Sequence, residues 1–401
     1  MYLESLRLIN FRNYVRLDSQ FAPGIIILHG DNAQGKTSFL EAVYYLSTAT
    51  ASHARHDRQL VHFDAADDLL SYAQLDATVH RNDGPQRATL TLAVQNNRSQ
   101  KRIEWNGVAQ RIYDYVGQIN VVLFLPEDID LIASGPNLRR RYLDSTISQI
   151  DSSYYRVLGE YDEVLTQRNA HLRALSEQGV RPKEAEALLE IWDDRLVEPG
   201  AFLTLRRQQV LARLDELANT IHGRLTNYRE HLRLAYLPRI DLGHHASHQL
   251  SLDMGSGLLR EGGILTLGEV MQRFRATLKR RRRDELARGM TLVGPHRDDV
   301  RFLVDGVDMT DYGSRGQQRT AALTLKLSEV AYIEEKRGDS PILLLDDVMS
   351  ELDDHRRRDM ATLLAQYEQV FLTTADLNNI TPVLQAAARL IHVEQGNHRE
   401  A

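Results

Sequence analysis

Cysteine is absent from all 401 residues, which excludes disulfides, thiolate zinc sites and thiol nucleophiles and fits a reducing compartment. Long hydrophobic runs are missing too: no stretch approaches the roughly 18 consecutive apolar residues of a membrane-spanning helix. The opening, MYLESLRLINFRNY, interleaves Glu and Arg with apolar residues, so the basic-then-apolar order of a signal peptide is not there. A cytoplasmic protein with no membrane contact is therefore the expectation. General positive charge is also lacking. A net charge of −6 excludes a surface coated with Lys and Arg, so any nucleic-acid contact must be local. What the chain does have is length and 42% hydrophobic residues, enough for a large core and for two domains.

Charge and periodicity divide the chain. Residues 131–290 hold 25 Lys and Arg against 21 Asp and Glu, so this middle is basic and the remainder acidic. The start reads as strand, turn, strand, and Gly24 introduces the buried run Ile25-Ile26-Ile27-Leu28, followed by a helix from Lys36 to about Leu46. Residues 72–116 alternate in the manner of β-hairpins, punctuated by Asn82-Asp83-Gly84-Pro85 and Asn106-Gly107. From about Leu138 to Leu237 the pattern is that of long helices, with breaks at 179–182 and at Pro199-Gly200. Residues 243–268 read as loop, strands resume near Met290, and the last hundred residues alternate strand and helix as a parallel α/β sheet does. The spacing thus predicts one α/β domain from residues 1–130 and 290–401, with an inserted, mainly helical lobe at 131–289.

Chemistry concentrates first in Gly30-Asp31-Asn32-Ala33-Gln34-Gly35-Lys36-Thr37, a full match to G-x-x-x-x-G-K-[ST] between a buried strand and a helix. Its glycines allow a tight turn whose backbone N–H groups face phosphates, and the helix adds the positive end of its dipole. Lys36 is expected to bridge the β- and γ-phosphates of ATP, and Thr37 to give Mg²⁺ a hydroxyl ligand. The second element is Ile342-Leu343-Leu344-Leu345-Asp346-Asp347, an apolar strand ending in two carboxylates at the edge where ligands bind in parallel sheets. Asp346 is the expected second Mg²⁺ ligand, acting through water, and Asp347 the group that orients or deprotonates the attacking water.

Two further segments narrow the class. Ser314-Arg315-Gly316-Gln317-Gln318 precedes a helix and resembles the S-G-G-Q signature of ABC-type ATPases, and Ser350-Glu351-Leu352-Asp353 follows Asp347 at the distance of their D-loop. Leu3 to Tyr14 with Asn10-Phe11-Arg12-Asn13-Tyr14, the phosphate loop, Phe124-x-Pro126-Glu127-Asp128, Arg140-Arg141-Tyr142-Leu143-Asp144, Gly294-Pro295-His296-Arg297-Asp298-Asp299, the 314–319 segment and Asp346 to Asp353 occur in the order of one family. Together they resemble the RecF family of bacterial recombination-repair ATPases, relatives of SMC proteins and RecN. The resemblance implies an ABC-type P-loop ATPase head, a mixed parallel sheet with an antiparallel β subsheet, whose coiled coil is reduced to the helical lobe. It also implies that Arg12 and Ser38 join residues 30–37 in holding ATP, and that residues 314–318 reach the γ-phosphate held by the other protomer of an ATP-dependent homodimer. Ser350 and Asp353 would lie on the dimer seam. DNA binding at duplex, gapped or junction sites, slow hydrolysis, and cooperation with RecO, RecR and RecA are implied by the same resemblance.

Departures from the general ABC pattern matter. Asp347 stands where Glu is usual, no His follows the strand Phe371-Leu372-Thr373-Thr374, and the loop that usually carries Gln reads Pro126-Glu127-Asp128. All three touch water activation or γ-phosphate sensing, so turnover should be slow. Lys279-Arg280-Arg281-Arg282-Arg283, preceded by Arg273 and Arg275, reads either as the solvated face of a helix or as a DNA-phosphate stripe. His296 to Asp299 is either a plain turn or a seam or lobe-junction element. His244, His245 and His248 have no carboxylate pattern beside them to make a metal site. Two other functions compete: a nucleotide-gated scaffold with negligible hydrolysis, and a transporter ATPase subunit, which would not need so large an insert.

Overall fold

In a computed structural model, the described residues are 1–52, 56–66, 71–95, 98–241 and 265–400. The chain opens with β1 (Tyr2–Phe11), β2 (Tyr14–Gln20), β3 (Gly24–His29) and α1 (Lys36–Thr48). Strands β4 (Ser71–Arg81), β5 (Gly84–Gln95), β6 (Arg98–Trp105), β7 (Val108–Gln110) and β8 (Val121–Phe124) follow. Then come α2 (Pro136–Ser148), α3 (Ser152–Glu177), α4 (Pro182–Leu225), β9 (Leu232–Leu237), α5 (Leu267–Arg288), β10 (Asp299–Val304), β11 (Val307–Asp308) and α6 (Arg315–Arg337). The chain finishes through β12 (Ile342–Asp346), α7 (Asp354–Leu364), β13 (Gln369–Thr374), β14 (Ala388–Glu394) and β15 (Asn397–Glu400). Two compact units result: residues 1–128 with 326–401, and residues 129–325.

The first unit holds two six-stranded sheets, ordered β2-β1-β4-β5-β6-β7 and β15-β14-β3-β13-β12-β8. In the first, β4 alternates buried and exposed side chains, as an antiparallel strand with one face on the core must. In the second, β14, β3, β13, β12 and β8 are parallel, and residues 25–28 of β3, 342–345 of β12 and 370–372 of β13 are apolar and buried on both faces. Helix α1 packs on both sheets, burying Phe39, Leu40, Val43 and Leu46 in a core shared with Leu6, Leu75, Leu90 and Phe371. Its N-terminus is thereby fixed at the C-terminal edge of the parallel strands, where Asp346 also lies.

In the second unit α3, α4 and α5 pack on one another, and β11-β10-β9 forms a small antiparallel sheet. Three sequence expectations need correction here. Pro199-Gly200 does not break the helix: α4 runs 44 residues through Pro199, because Leu196, Val197, Ala201 and Leu203 are buried on either side of it. Gly200 is instead a close-packing position, where a Cβ would lie 2.5 Å from the Phe274 ring. Residues 232–237 form a strand, not the end of a helix, and pair in register with β10. That pairing draws residues 290–325 into the helical unit, although the sequence pattern grouped them with the ATPase part. His244, His245 and His248 lie outside the described residues. Among the described residues no helix is long and apolar enough to cross a membrane.

Candidate nucleotide-binding site

The loop between β3 and α1 has the backbone that its glycines were expected to permit. Gly30 (φ 145°), Ala33 (φ 63°) and Gly35 (φ 121°) all have positive φ. A Cβ on Gly30 would stand 2.4 Å from the Val393 carbonyl oxygen, and one on Gly35 2.7 Å from Asn13 Nδ2. No side chain caps α1, so its first N–H groups are left for an anion. Lys36 folds back over its own loop, with Nζ donating to the carbonyls of Gly30 and Asp31 at 2.7 Å each. Burial holds its pKa below the ordinary lysine value, against the opposing pull of Asp346, Asp347 and Asp31. Gly30→Ala is expected to cost roughly 1–3 kcal/mol of stability through backbone strain and the Val393 clash, and to weaken ATP binding; urea denaturation and a titration of ATP check both.

Across the edge of the sheet, Asp346 Oδ1 accepts from Thr37 Oγ1 at 3.0 Å and from Thr373 Oγ1 at 2.6 Å. Thr373 Oγ1 also accepts the Asp347 backbone N–H at 2.9 Å. The structure therefore brings Lys36, Thr37, Asp346 and Asp347 together, and Thr37 and Asp346 present hard oxygen donors that fit Mg²⁺. Asp347 sits in a left-handed conformation (φ 48°), which Asp tolerates better than most residues. Its carboxyl pKa is raised, first by burial, with Asp346 and Glu351 adding to the shift and Ser350 and Lys36 opposing it. Ser350 Oγ donates to the Asp347 carbonyl at 2.7 Å, while Asp353 is exposed and accepts the Arg356 N–H. Because β8 pairs with β12 as far as Phe124 and Leu345, residues 126–128 leave the same edge as Asp346. The Asp128 carboxylate accepts the Leu125 N–H at 2.7 Å, and desolvation pushes its pKa up to about 6.

Of the other expected ATP ligands, Asp31, Asn32 and Ala33 are exposed, Gln34 and Ser38 half-buried. Arg12 is held in a fork to Glu41 of α1, at 2.7 and 2.8 Å. Sequence reasoning missed Thr373 and the side chains that grip the loop from outside, Asn13 and Tyr14. The only hint was their place in the Asn10 to Tyr14 motif.

The 314–318 segment belongs to the second unit. Ser314, Arg315 and Gly316 are exposed at the start of α6, beside Tyr312, which is 77% exposed. Ser314 Oγ and the Gln317 side chain cap one another, Gln317 also donates to Glu230, and Gln318 donates to the Met309 carbonyl. The 294–299 segment is a junction inside this unit. His296 donates from Nε2 to the Thr291 carbonyl and accepts the Tyr161 hydroxyl at Nδ1, while Arg207 donates to the Pro295 carbonyl and pairs with Asp144. Burial brings the His296 pKa down to about 4, so the ring is neutral at pH 7.

For the basic run the structure favours internal pairing. Lys279 meets Glu186 at 2.8 Å, Arg280 meets Asp241 at 2.8 Å and Arg281 meets Asp284 at 3.2 Å. Arg283 is exposed. Arg282 must be taken out of the proposed DNA stripe. It is buried, pairs with Asp193, and belongs to an ion cluster in which Arg168 reaches Asp193 and Glu285 at 2.9 and 2.7 Å. Among the described residues no group of three His, Asp or Glu side chains is arranged as a metal site.

A glycine cradle feeding a helix N-terminus, with a hydroxyl and a strand-end carboxylate facing each other across a parallel sheet, defines a nucleotide-binding head of the ABC/SMC-like class. The chain belongs to the RecF family. A family model described as the RecF/RecN/SMC N terminal domain matches residues 2–399. The DNA replication and repair protein RecF of Chloroflexus aggregans is 40% identical over 99% of both chains, and that of Halalkalibacterium halodurans 36% identical over 99% of both. Among solved structures, the recombination mediator protein RecF with ATP, of the RecFOR pathway, superposes with a TM-score of 0.84 at 31% identity, covering 100% of this chain and 97% of the other. An SMC head bound to the C-winged helix domain of ScpA gives a TM-score of 0.51 at 14% identity, covering 100% of this chain and 97% of the other, a likeness of fold alone.

Proposed function

We propose that this chain is an ATP-dependent DNA-binding protein of recombinational repair. ATP held at residues 30–38 closes two copies into a homodimer that clamps duplex DNA near gaps or junctions, and the dimer works with RecO and RecR to place RecA. The observation that carries the reading is the convergence of Lys36, Thr37 and Asp346 on one edge of the sheet. The exposed start of α6 supports a shared site, since Ser314 and Gly316 are open for a second copy to meet. Bound between Thr37 and Asp346, Mg²⁺ would neutralise phosphate charge. Lys36 then exchanges its loop carbonyls for β- and γ-phosphate oxygens, and Asp347 orients the attacking water. The Asp347 side chain is one methylene shorter than Glu, so it reaches less far toward the attacking water; hydrolysis is slow and ATP acts mainly as a dimer switch.

Gel filtration with and without ATP, then with duplex, gapped and single-stranded DNA, tests the reading. A chain that stays monomeric with ATP or ignores DNA would sink it, and a dimer that never resets would favour the scaffold. Duplex affinity in ATP should fall steeply with salt, by counterion release. Replacing Arg280 and Arg281 by Gln should leave that slope unchanged, because Asp241 and Asp284 already balance them. A flatter slope in the variant would restore the run as a DNA contact.

A further inference from the structure

The phosphate loop is gripped from outside by two turns that are far apart in sequence. The Gln34 carbonyl accepts from Asn13 Nδ2 at 3.1 Å and from the Gly396 N–H at 2.9 Å, and Gln34 Oε1 accepts the Gln395 N–H at 2.8 Å. The next carbonyl, of Gly35, accepts the Phe39 N–H of α1 at 2.9 Å and, from the other side, the buried Tyr14 hydroxyl at 3.0 Å. Tyr14 oxygen also lies 3.1 Å from His398 Nε2, and His398 Nδ1 lies 3.3 Å from Ser19 Oγ. The direction of this chain of bonds is fixed by its end. A carbonyl can only accept, so Tyr14 must donate its proton to Gly35; its oxygen is then left to accept, which puts the proton of His398 on Nε2 and leaves Nδ1 to accept from Ser19.

In a planar trans peptide the carbonyl and the following N–H point in opposite directions. Fixing the Gln34 carbonyl therefore fixes the Gly35 N–H, and fixing the Gly35 carbonyl fixes the Lys36 N–H. These are amides of the turn that cradles phosphate. We infer that Tyr14 and His398 are positioning residues for phosphate binding: with Asn13 and the Gln395-Gly396 turn they hold the Gly35 and Lys36 amides turned toward the nucleotide before it arrives. Close packing supports the assignment, since Cβ atoms on Gly35 and Gly396 would meet Asn13 Nδ2 at 2.7 Å and the Asn13 carbonyl oxygen at 3.0 Å. Desolvation brings the His398 pKa down to about 4, so the relay stays neutral at working pH.

This inference rests on the reading that residues 30–37 hold the phosphates of ATP. The test is calorimetric titration of Mg²⁺ with ATP, ADP and inorganic triphosphate into the full chain and two variants. Tyr14→Phe removes the bond to Gly35; Tyr115→Phe removes a similar buried bond to the Leu46 carbonyl, near the far end of α1. Tyr14→Phe should weaken all three ligands by about three- to tenfold, the value of one buried hydrogen bond. Tyr115→Phe should bind as wild type does, even if its melting temperature falls as far. Wild-type affinity in Tyr14→Phe, or an equal loss in Tyr115→Phe, would overturn the positioning role. Wild-type protein that fails to bind ATP, or Lys36→Met that binds it normally, would instead overturn the underlying reading.

Discussion

Lys36→Met is expected to lower ATP affinity by roughly 10- to 150-fold, the range for losing hydrogen bonds from a charged group, and to abolish ATP-dependent binding of DNA. In the free protein Nζ donates to the Gly30 and Asp31 carbonyls, so methionine leaves two acceptors without that donor. Asp31 is exposed, so water can replace that bond, while the buried Gly30 carbonyl loses its side-chain donor. The fold should survive with a loss on the order of 1 kcal/mol. Equilibrium dialysis for ATP and thermal melting for stability separate the two effects. Normal ATP affinity in a folded variant would defeat the assignment of Lys36.

The second large effect concerns sharing of the site between copies. Ser314→Arg puts a long cation at the exposed start of α6 and removes the Ser314–Gln317 cap, worth about 1 kcal/mol. As a monomer it should fold and bind ATP normally, yet fail to dimerise, because the new side chain would occupy the seam. Lys36→Met should fail for a different reason, having no ATP to share. Mixing the two creates one site with the intact loop of the first and the intact 314–318 segment of the second. Partial recovery of an ATP-dependent dimer, read by light scattering, is the expected result. Loss of ATP binding by monomeric Ser314→Arg, or its dimerisation as wild type, would defeat the shared site.

The parts of the site carried by consecutive residues were legible in the sequence. A phosphate loop needs glycines at fixed spacing and a lysine, and a central parallel strand needs an unbroken apolar run, so residues 30–37 and 342–347 announce themselves. The antiparallel strands at 71–110 were legible for the same reason, through alternation and turn residues. Long-range partnerships were not. Nothing local in Gln395-Gly396 or His398 marks them as neighbours of Gln34 and Tyr14. Pro199 reads as a breaker because propensity counts the lost hydrogen bond and not the apolar side chains buried on both sides of it. Arg282 reads as surface charge because its partner Asp193 lies on another helix.

The strand order has a consequence for synthesis. β3, which ends at the phosphate loop, is flanked by β13 and β14, so residues 24–29 find their partners only in residues 369–374 and 388–394. At about 5–20 residues per second, a ribosome makes the loop sequence tens of seconds before it makes the strands that hold it. A nascent chain can assemble the hairpins of β4 to β6 early, since those contacts are local. The ATP site comes late, and a growing chain stalled before β14 would carry the complete phosphate-loop motif without the fold that lets it bind.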